Sequence, residues 1–146
     1  MNTSMSANTS RYCGRRCREA LGKFLAPTHG GSYSVDNSFL YFPTERIYVA
    51  YSGTPPLWFY GIAQHECHAW PHNQSLALIL KDSDVIRYAV LTSNEAKTLL
   101  GKCNADDAGQ KKLHVRRPQN SGQLYLVEWK EFRLFDRLTL LDVALV

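Results

Sequence analysis

The chain has 146 residues, of which 45% are hydrophobic and 21% are charged, a balance that is typical of one globular domain and excludes collagen-like and wholly disordered chains. No apolar run approaches the ~18 residues that a membrane-spanning helix needs, and residues 1–10 lack the apolar core of a secretory signal. We therefore expect a cytoplasmic protein without a membrane partner, although the Ser-, Thr- and Arg-rich start is also typical of organelle transit peptides.

Positive charge is concentrated at the start of the chain. Of the 17 basic and 13 acidic side chains, five basic and one acidic lie in residues 1–25, which leaves twelve of each sign in residues 26–146. The net charge of +4 therefore comes from the first 25 residues. Because the local electrostatic field steers the approach of charged partners, this distribution favours a polyanionic partner, either nucleic acid or an anionic membrane surface.

The first predicted element is an amphipathic helix over about residues 11–25, preceded by a flexible tail over residues 1–10. At 100° per residue an apolar stripe lies opposite a basic face. Guanidinium groups spaced along one face can contact successive phosphates, and a solvated helix face is the alternative. The stripe consists of Cys13, Cys17, Ala20, Leu21 and Phe24, and the basic face of Arg11, Arg15 and Arg18.

Short β-type runs bounded by turn residues follow, at residues 39–42, 47–52, 57–63, 76–81, 85–91, 111–117 and 123–129. Ser93 and Gly101 bracket a short inserted helix over residues 94–100. Leu and Phe at helical spacing predict a final helix from about residue 132 to the C-terminus, and residues 138–146 also fit a strand. The chain is therefore predicted to be a single strand-rich α+β domain over residues 11–146, with about seven strands in a bent sheet or open pseudobarrel.

The strand at residues 111–117 carries a second basic patch, because alternation places Lys112, His114 and Arg116 on one side. The adjoining turn offers amide groups to base edges. An edge strand protected by lysine against aggregation is the alternative. The nucleic-acid contacts predicted from both patches are Arg11, Arg15, Arg18, Lys112, His114, Arg116, Arg117, Gln119 and Asn120.

Aromatic side chains recur in the early strands. Exposed members can stack on unpaired bases, but aromatic strand residues more often belong to the core. These residues are Tyr41, Phe42, Tyr48, Tyr51, Trp58, Phe59 and Tyr60.

His65, Cys67, His68 and His72 form a cluster of possible zinc ligands. Their spacing matches no recognised zinc finger, and a distant residue would have to complete the site. A polar loop with partly buried imidazoles is the predicted outcome, so no metal or cofactor is expected. None of the four cysteines stands in a C-x-x-C pair, which indicates reduced thiols.

The segment Glu128-Trp129-Lys130 follows an apolar run and resembles the E-x-K end of the central strand in PD-(D/E)XK nucleases. In that family two acids hold magnesium and the lysine assists the attacking water, so the resemblance implies Asp107 as the second acid. Asp106 precedes Asp107 where the family has proline, and only 16 residues follow Lys130. A magnesium-dependent nuclease is therefore the alternative function.

The order of three segments, YVAYSG at 48–53, WFYG at 58–61 and KLHV at 112–115, resembles B3-like DNA-recognition domains of bacterial restriction systems. The resemblance covers about residues 38–130 and implies a pseudobarrel that lays strands and loops into the DNA major groove. We therefore predict a module that binds nucleic acid, in particular double-stranded DNA, in a restriction or defence context.

A non-catalytic subunit that associates through Leu138 and Leu141 of the C-terminal helix is a further alternative.

Overall fold

The computed structural model describes the backbone of residues 3–143 and the side chains from Tyr12 onwards. Its helices are α1 (Thr3–Leu25), α2 (Gln64–His68) and α3 (Ser93–Lys102), with 3-10 turns at Ala26–Thr28 and Leu134–Arg137. The strands are β1 (Ser34–Asp36), β2 (Phe39–Tyr41), β3 (Arg46–Ser52), β4 (Leu57–Ala63), β5 (Gln74–Asp82), β6 (Val85–Leu91), β7 (Gln110–Arg116), β8 (Tyr125–Leu126) and β9 (Thr139–Leu140).

These nine strands of the described chain form two open sheets. The larger has the order β1-β2-β3-β5-β6-β9 and the smaller the order β4-β7-β8. Neighbouring strands are antiparallel except for β3 and β5, which are parallel. A parallel pair needs a crossover connection, and β4 and α2 supply it. The crossover therefore starts the smaller sheet and lays it over the larger one.

Helix α1 covers one face of the larger sheet, but it is rotated from the predicted orientation. Cys17 and Leu21 are fully buried, as predicted, whereas Phe24 is 59% exposed and makes only an edge contact with Tyr88. Leu25 is buried instead. At 100° per residue the buried face lies roughly 60° from the predicted stripe.

Two glycines explain this rotation. A Cβ atom at Gly14 would lie 3.5 Å from the Tyr51 ring, and one at Gly22 would lie 2.6 Å from Tyr33 Cδ2. Both glycines are buried, so the glycine side of the helix faces the rest of the protein. Counting apolar side chains gives no weight to glycine, and the predicted stripe was therefore centred on the wrong residues.

The opposite face of the larger sheet is covered by the smaller sheet and α3. Leu76, Leu78 and Leu80 of β5 share a core cluster with Trp58 of β4 and with apolar residues of β7 and α3. The remaining β5 side chains Ala77 and Ile79 belong to the cluster beneath α1. Strand β5 is therefore buried on both faces, which is why its sequence is a continuous apolar run.

The predicted strand-rich α+β class is confirmed, and the predicted bounds of β4 and β6 match the observed ones. Helix α3 is also confirmed, although Thr92 rather than Ser93 is its N-cap, in a capping box with Glu95. Helix α1 begins at Thr3, so the predicted flexible tail overlaps it. Once a helix is nucleated, each further residue adds a hydrogen bond at little cost, and small polar residues then suffice to extend it.

The predicted C-terminal helix is absent from the described residues 132–143. A 3-10 turn at Leu134–Arg137 and the two-residue strand β9 take its place. The apolar side chains there bury against two different layers: Leu134 joins the cluster between the sheets, and Leu141 joins the cluster beneath α1. One helix cannot serve both layers, so the helix is wrong as a prediction, while the association through Leu138 and Leu141 stays a prediction. Among the described helices, none has the length and apolar character to cross a membrane.

Candidate nucleic-acid interface

A groove of about 670 Å³ lies beside the part of β3 that has no strand neighbour on one side. Strand β2 pairs with β3 only as far as Tyr48, and Val49 N–H then donates to Ser38 O. Beyond that point α1 and β4 form the walls, with residues 48–51 of β3 and 59–61 of β4 among the lining. Sites for small molecules measure ~300–1,000 Å³, so the groove has room for a nucleotide-sized group.

Arg15 and Arg18 of α1 give the groove its charge, since none of the described residues that line it is acidic. Arg15 is exposed. The Nε atom of Arg18 is buried and has no hydrogen-bond partner among the described residues. Burial lowers the pKa of the Arg18 guanidinium, and Tyr48 and Glu19 are among the groups that act in the opposite direction. A buried cationic donor without a partner favours the binding of an anion.

Two tyrosines of β3 add hydroxyl groups to the groove without adding negative charge. Burial raises the pKa of Tyr48, while a hydrogen bond with Ser38 acts in the opposite direction. Burial, together with two cysteines of α1, also raises the pKa of Tyr51. Both phenols are therefore neutral near pH 7, and the two arginines set the sign of the groove's charge.

Phe59 joins this groove to the basic face of β7. It is 42% exposed and lines the groove. Its ring centroid lies 4.3 Å from Lys112 Nζ and 5.4 Å from the His114 ring centroid, because β4 and β7 pair with Phe59 opposite His114. The predicted alternation of β7 is confirmed, with Leu113 and Val115 fully buried on the other side. The two basic elements predicted from sequence thus meet at one aromatic side chain.

Acidic partners neutralise much of the charge on β7. Lys112 Nζ lies 3.0 Å from Asp106 Oδ2. Arg117 pairs with Asp82 and stacks over the Trp58 ring at 5.3 Å, so its guanidinium serves the packing of the two sheets. Arg116 is exposed on the outer face. We therefore expect α1 to contribute more to anion binding than β7 does.

Glu128 is bound by His114 and is 15% exposed. Its Oε1 accepts the backbone N–H of His114 at 2.7 Å, and its Oε2 lies 2.7 Å from His114 Nδ1. Glu128 also lies beyond β8, a two-residue edge strand of the smaller sheet. Asp107 and Lys130 are exposed. The predicted E-x-K end of a central strand is therefore not reproduced, since the segment follows an edge strand and its acid is already engaged.

Replacing Glu128 by alanine should lower the free energy of unfolding by about 1–3 kcal/mol, because the His114 N–H would be left without its acceptor. Nucleic-acid binding should persist. Urea denaturation and a binding titration measure the two effects. Unchanged stability combined with the loss of a magnesium-dependent DNA cleavage would instead favour the nuclease.

The possible zinc ligands are spread over and beyond the short helix α2. His65 is 82% exposed and lies 3.5 Å from Glu66, and Cys67 Sγ donates to Ile62 O at 3.9 Å. His68 and His72 are exposed. Among the described residues, no three His, Cys, Asp or Glu side chains are arranged to hold a metal ion. All four cysteines are free thiols.

Two further predicted contacts lie outside the groove. Gln119 and Asn120 are exposed in the turn after β7 and do not line it, and the Arg11 side chain lies outside the described residues. From the sequence Phe59 is one aromatic among seven, and strand alternation is the signal that places it on the opposite face of β4 from the buried Trp58 and Tyr60. No family model, curated protein or solved structure matches the chain.

Proposed function

We propose that this protein binds nucleic acid through a cationic surface that runs from α1 to the outer face of β7. The position of Phe59 carries the proposal, since it lines the groove with Arg15 and Arg18 and contacts Lys112 and His114 as well. Cations interleaved with an exposed aromatic ring are typical of surfaces that bind a phosphate backbone together with bases.

The charge distribution supports the same proposal. The groove holds two arginines and no acidic residue among its described lining, and its neighbouring phenols are neutral. A phosphate backbone placed there meets two guanidinium groups and no acidic side chain in the described lining. Because phosphate binding releases counterions, the affinity should depend strongly on salt.

A binding titration tests the proposal directly. Labelled single-stranded and duplex DNA are titrated with the protein at about 50 and 200 mM salt, and fluorescence anisotropy reports binding. If two or three phosphates are bound, log K should fall against log salt with a slope of about −1.4 to −2.7, at ~0.7–0.9 per phosphate. Absence of binding at the lower salt concentration, or a slope of zero, would contradict the proposal.

The same titration with magnesium separates the alternatives. A binding module leaves the DNA intact, whereas a nuclease cleaves it only when the metal is present. The restriction or defence context and the cytoplasmic location are further proposals. The first of them rests on the B3-like resemblance, which also predicts a duplex target as the alternative to a single strand. Tighter binding of the duplex than of the single strand would support that resemblance.

A further inference from the structure

The groove is suited to an unpaired nucleotide. It is concave, because α1 stands on one side of the open β3 edge and β4 on the other. A duplex presents phosphates and base edges but keeps its base faces stacked inside. A single strand can turn a base into the groove while its phosphate stays at the rim. The shape of the site therefore favours a single strand.

Arg18 indicates where the phosphate lies. Its Nε atom is buried without a hydrogen-bond partner in the described part of the chain, which costs free energy that a turn of the side chain towards an acceptor in the groove would recover. Arg15, one helical turn earlier, is exposed on the same wall. Guanidinium groups bind phosphate oxygens through paired N–H donors. The helix therefore offers one half-buried and one exposed guanidinium group to a single anion.

Phe59 indicates where the base lies. Its ring is 42% exposed on a strand whose neighbouring aromatics, Trp58 and Tyr60, are buried. Lys112 and His114 lie beside the ring, and they are paired with Asp106 and Glu128. Stacking on an aromatic ring tolerates every base, because each has a π-face.

We propose that the groove holds one unpaired nucleotide of a single-stranded nucleic acid, with its phosphate at Arg15 and Arg18 and its base stacked on Phe59. This inference rests on the proposed nucleic-acid binding and specifies its substrate class. Asn37 and Ser38 line the groove and are neutral. Their side chains can both donate and accept hydrogen bonds, so they do not select one base.

The variant Phe59→Leu tests the stacking, and Phe135→Leu is the matched control, since Phe135 is also exposed but lies outside the groove. Three probes of equal length are used: oligothymidylate of about 12 nucleotides, within the ~4–16 of known single-strand sites, an abasic strand, and a mixed-sequence duplex. Phe59→Leu should weaken oligothymidylate binding about tenfold and leave the salt slope unchanged. It should not alter abasic-strand or duplex binding, and Phe135→Leu should change nothing.

The outcomes separate the two proposals. If all three probes bind in a salt-dependent manner but Phe59→Leu has no effect, or weakens all three equally, base stacking is wrong while nucleic-acid binding stands. If no probe binds at low salt, both proposals fail. As an independent readout, the NMR resonance of the Arg18 Nε–H should shift when oligothymidylate is added to the wild type, and an unchanged resonance would contradict the assigned phosphate site.

Discussion

The double substitution Arg15→Gln/Arg18→Gln should weaken the binding of single-stranded DNA by about 30- to 100-fold, because it removes two charge-assisted hydrogen-bonding groups that face the phosphate. The salt slope should become shallower by about 0.7 for each phosphate that is no longer neutralised. Glutamine has nearly the helix propensity of arginine, and the Arg18 Nε has no partner among the described residues. The melting temperature should therefore stay the same or rise.

A matched control distinguishes the groove from the net charge. Lys23→Gln/Lys97→Gln also removes two positive charges, from exposed positions on α1 and α3 that do not line the groove. Its effect on affinity should be small. Lys112→Gln should also matter less than Arg18→Gln, since Lys112 is paired with Asp106. Equal reductions in affinity for the two double variants would mean that diffuse charge, rather than this groove, attracts the nucleic acid.

The substitution Trp58→Ala should lower the free energy of unfolding by about 3–5 kcal/mol, the usual cost of removing a buried tryptophan side chain. Trp58 is completely buried between the two sheets. Its Nε1 donates to Lys81 O at 3.0 Å, and its ring supports the Arg117 guanidinium. The destabilisation therefore combines a cavity, an unpaired carbonyl and a displaced cation.

Urea denaturation followed by circular dichroism measures this destabilisation without relying on tryptophan fluorescence. Trp129→Ala is the control, because Trp129 is only half-buried and packs at the margin of the same cluster. Trp129→Ala should lower the free energy of unfolding by clearly less than Trp58→Ala does. Similar midpoints for both variants and the wild type would mean that the packing between the sheets contributes little to stability.

The sequence by itself determined several of the local elements. Turn residues delimit β4 and β6 at their observed bounds, and alternation in β7 correctly separates the outward His114 from the buried Leu113 and Val115. The concentration of arginines on α1 can also be recognised from the sequence without a structure. These features follow from the periods of helices and strands and from turn chemistry, which depend on neighbours within a few residues.

Only the tertiary structure decided what those elements do together. The glycines at 14 and 22 set the rotation of α1 and thereby half-bury Arg18, and the crossover after β3 places Phe59 beside both basic elements. Glu128 meets His114 from 14 residues away, and Asp82 meets Arg117 from 35 residues away. Such pairings depend on packing complementarity between distant segments. Local periodicity carries no information about them, because it specifies which face of an element is buried and not what covers it.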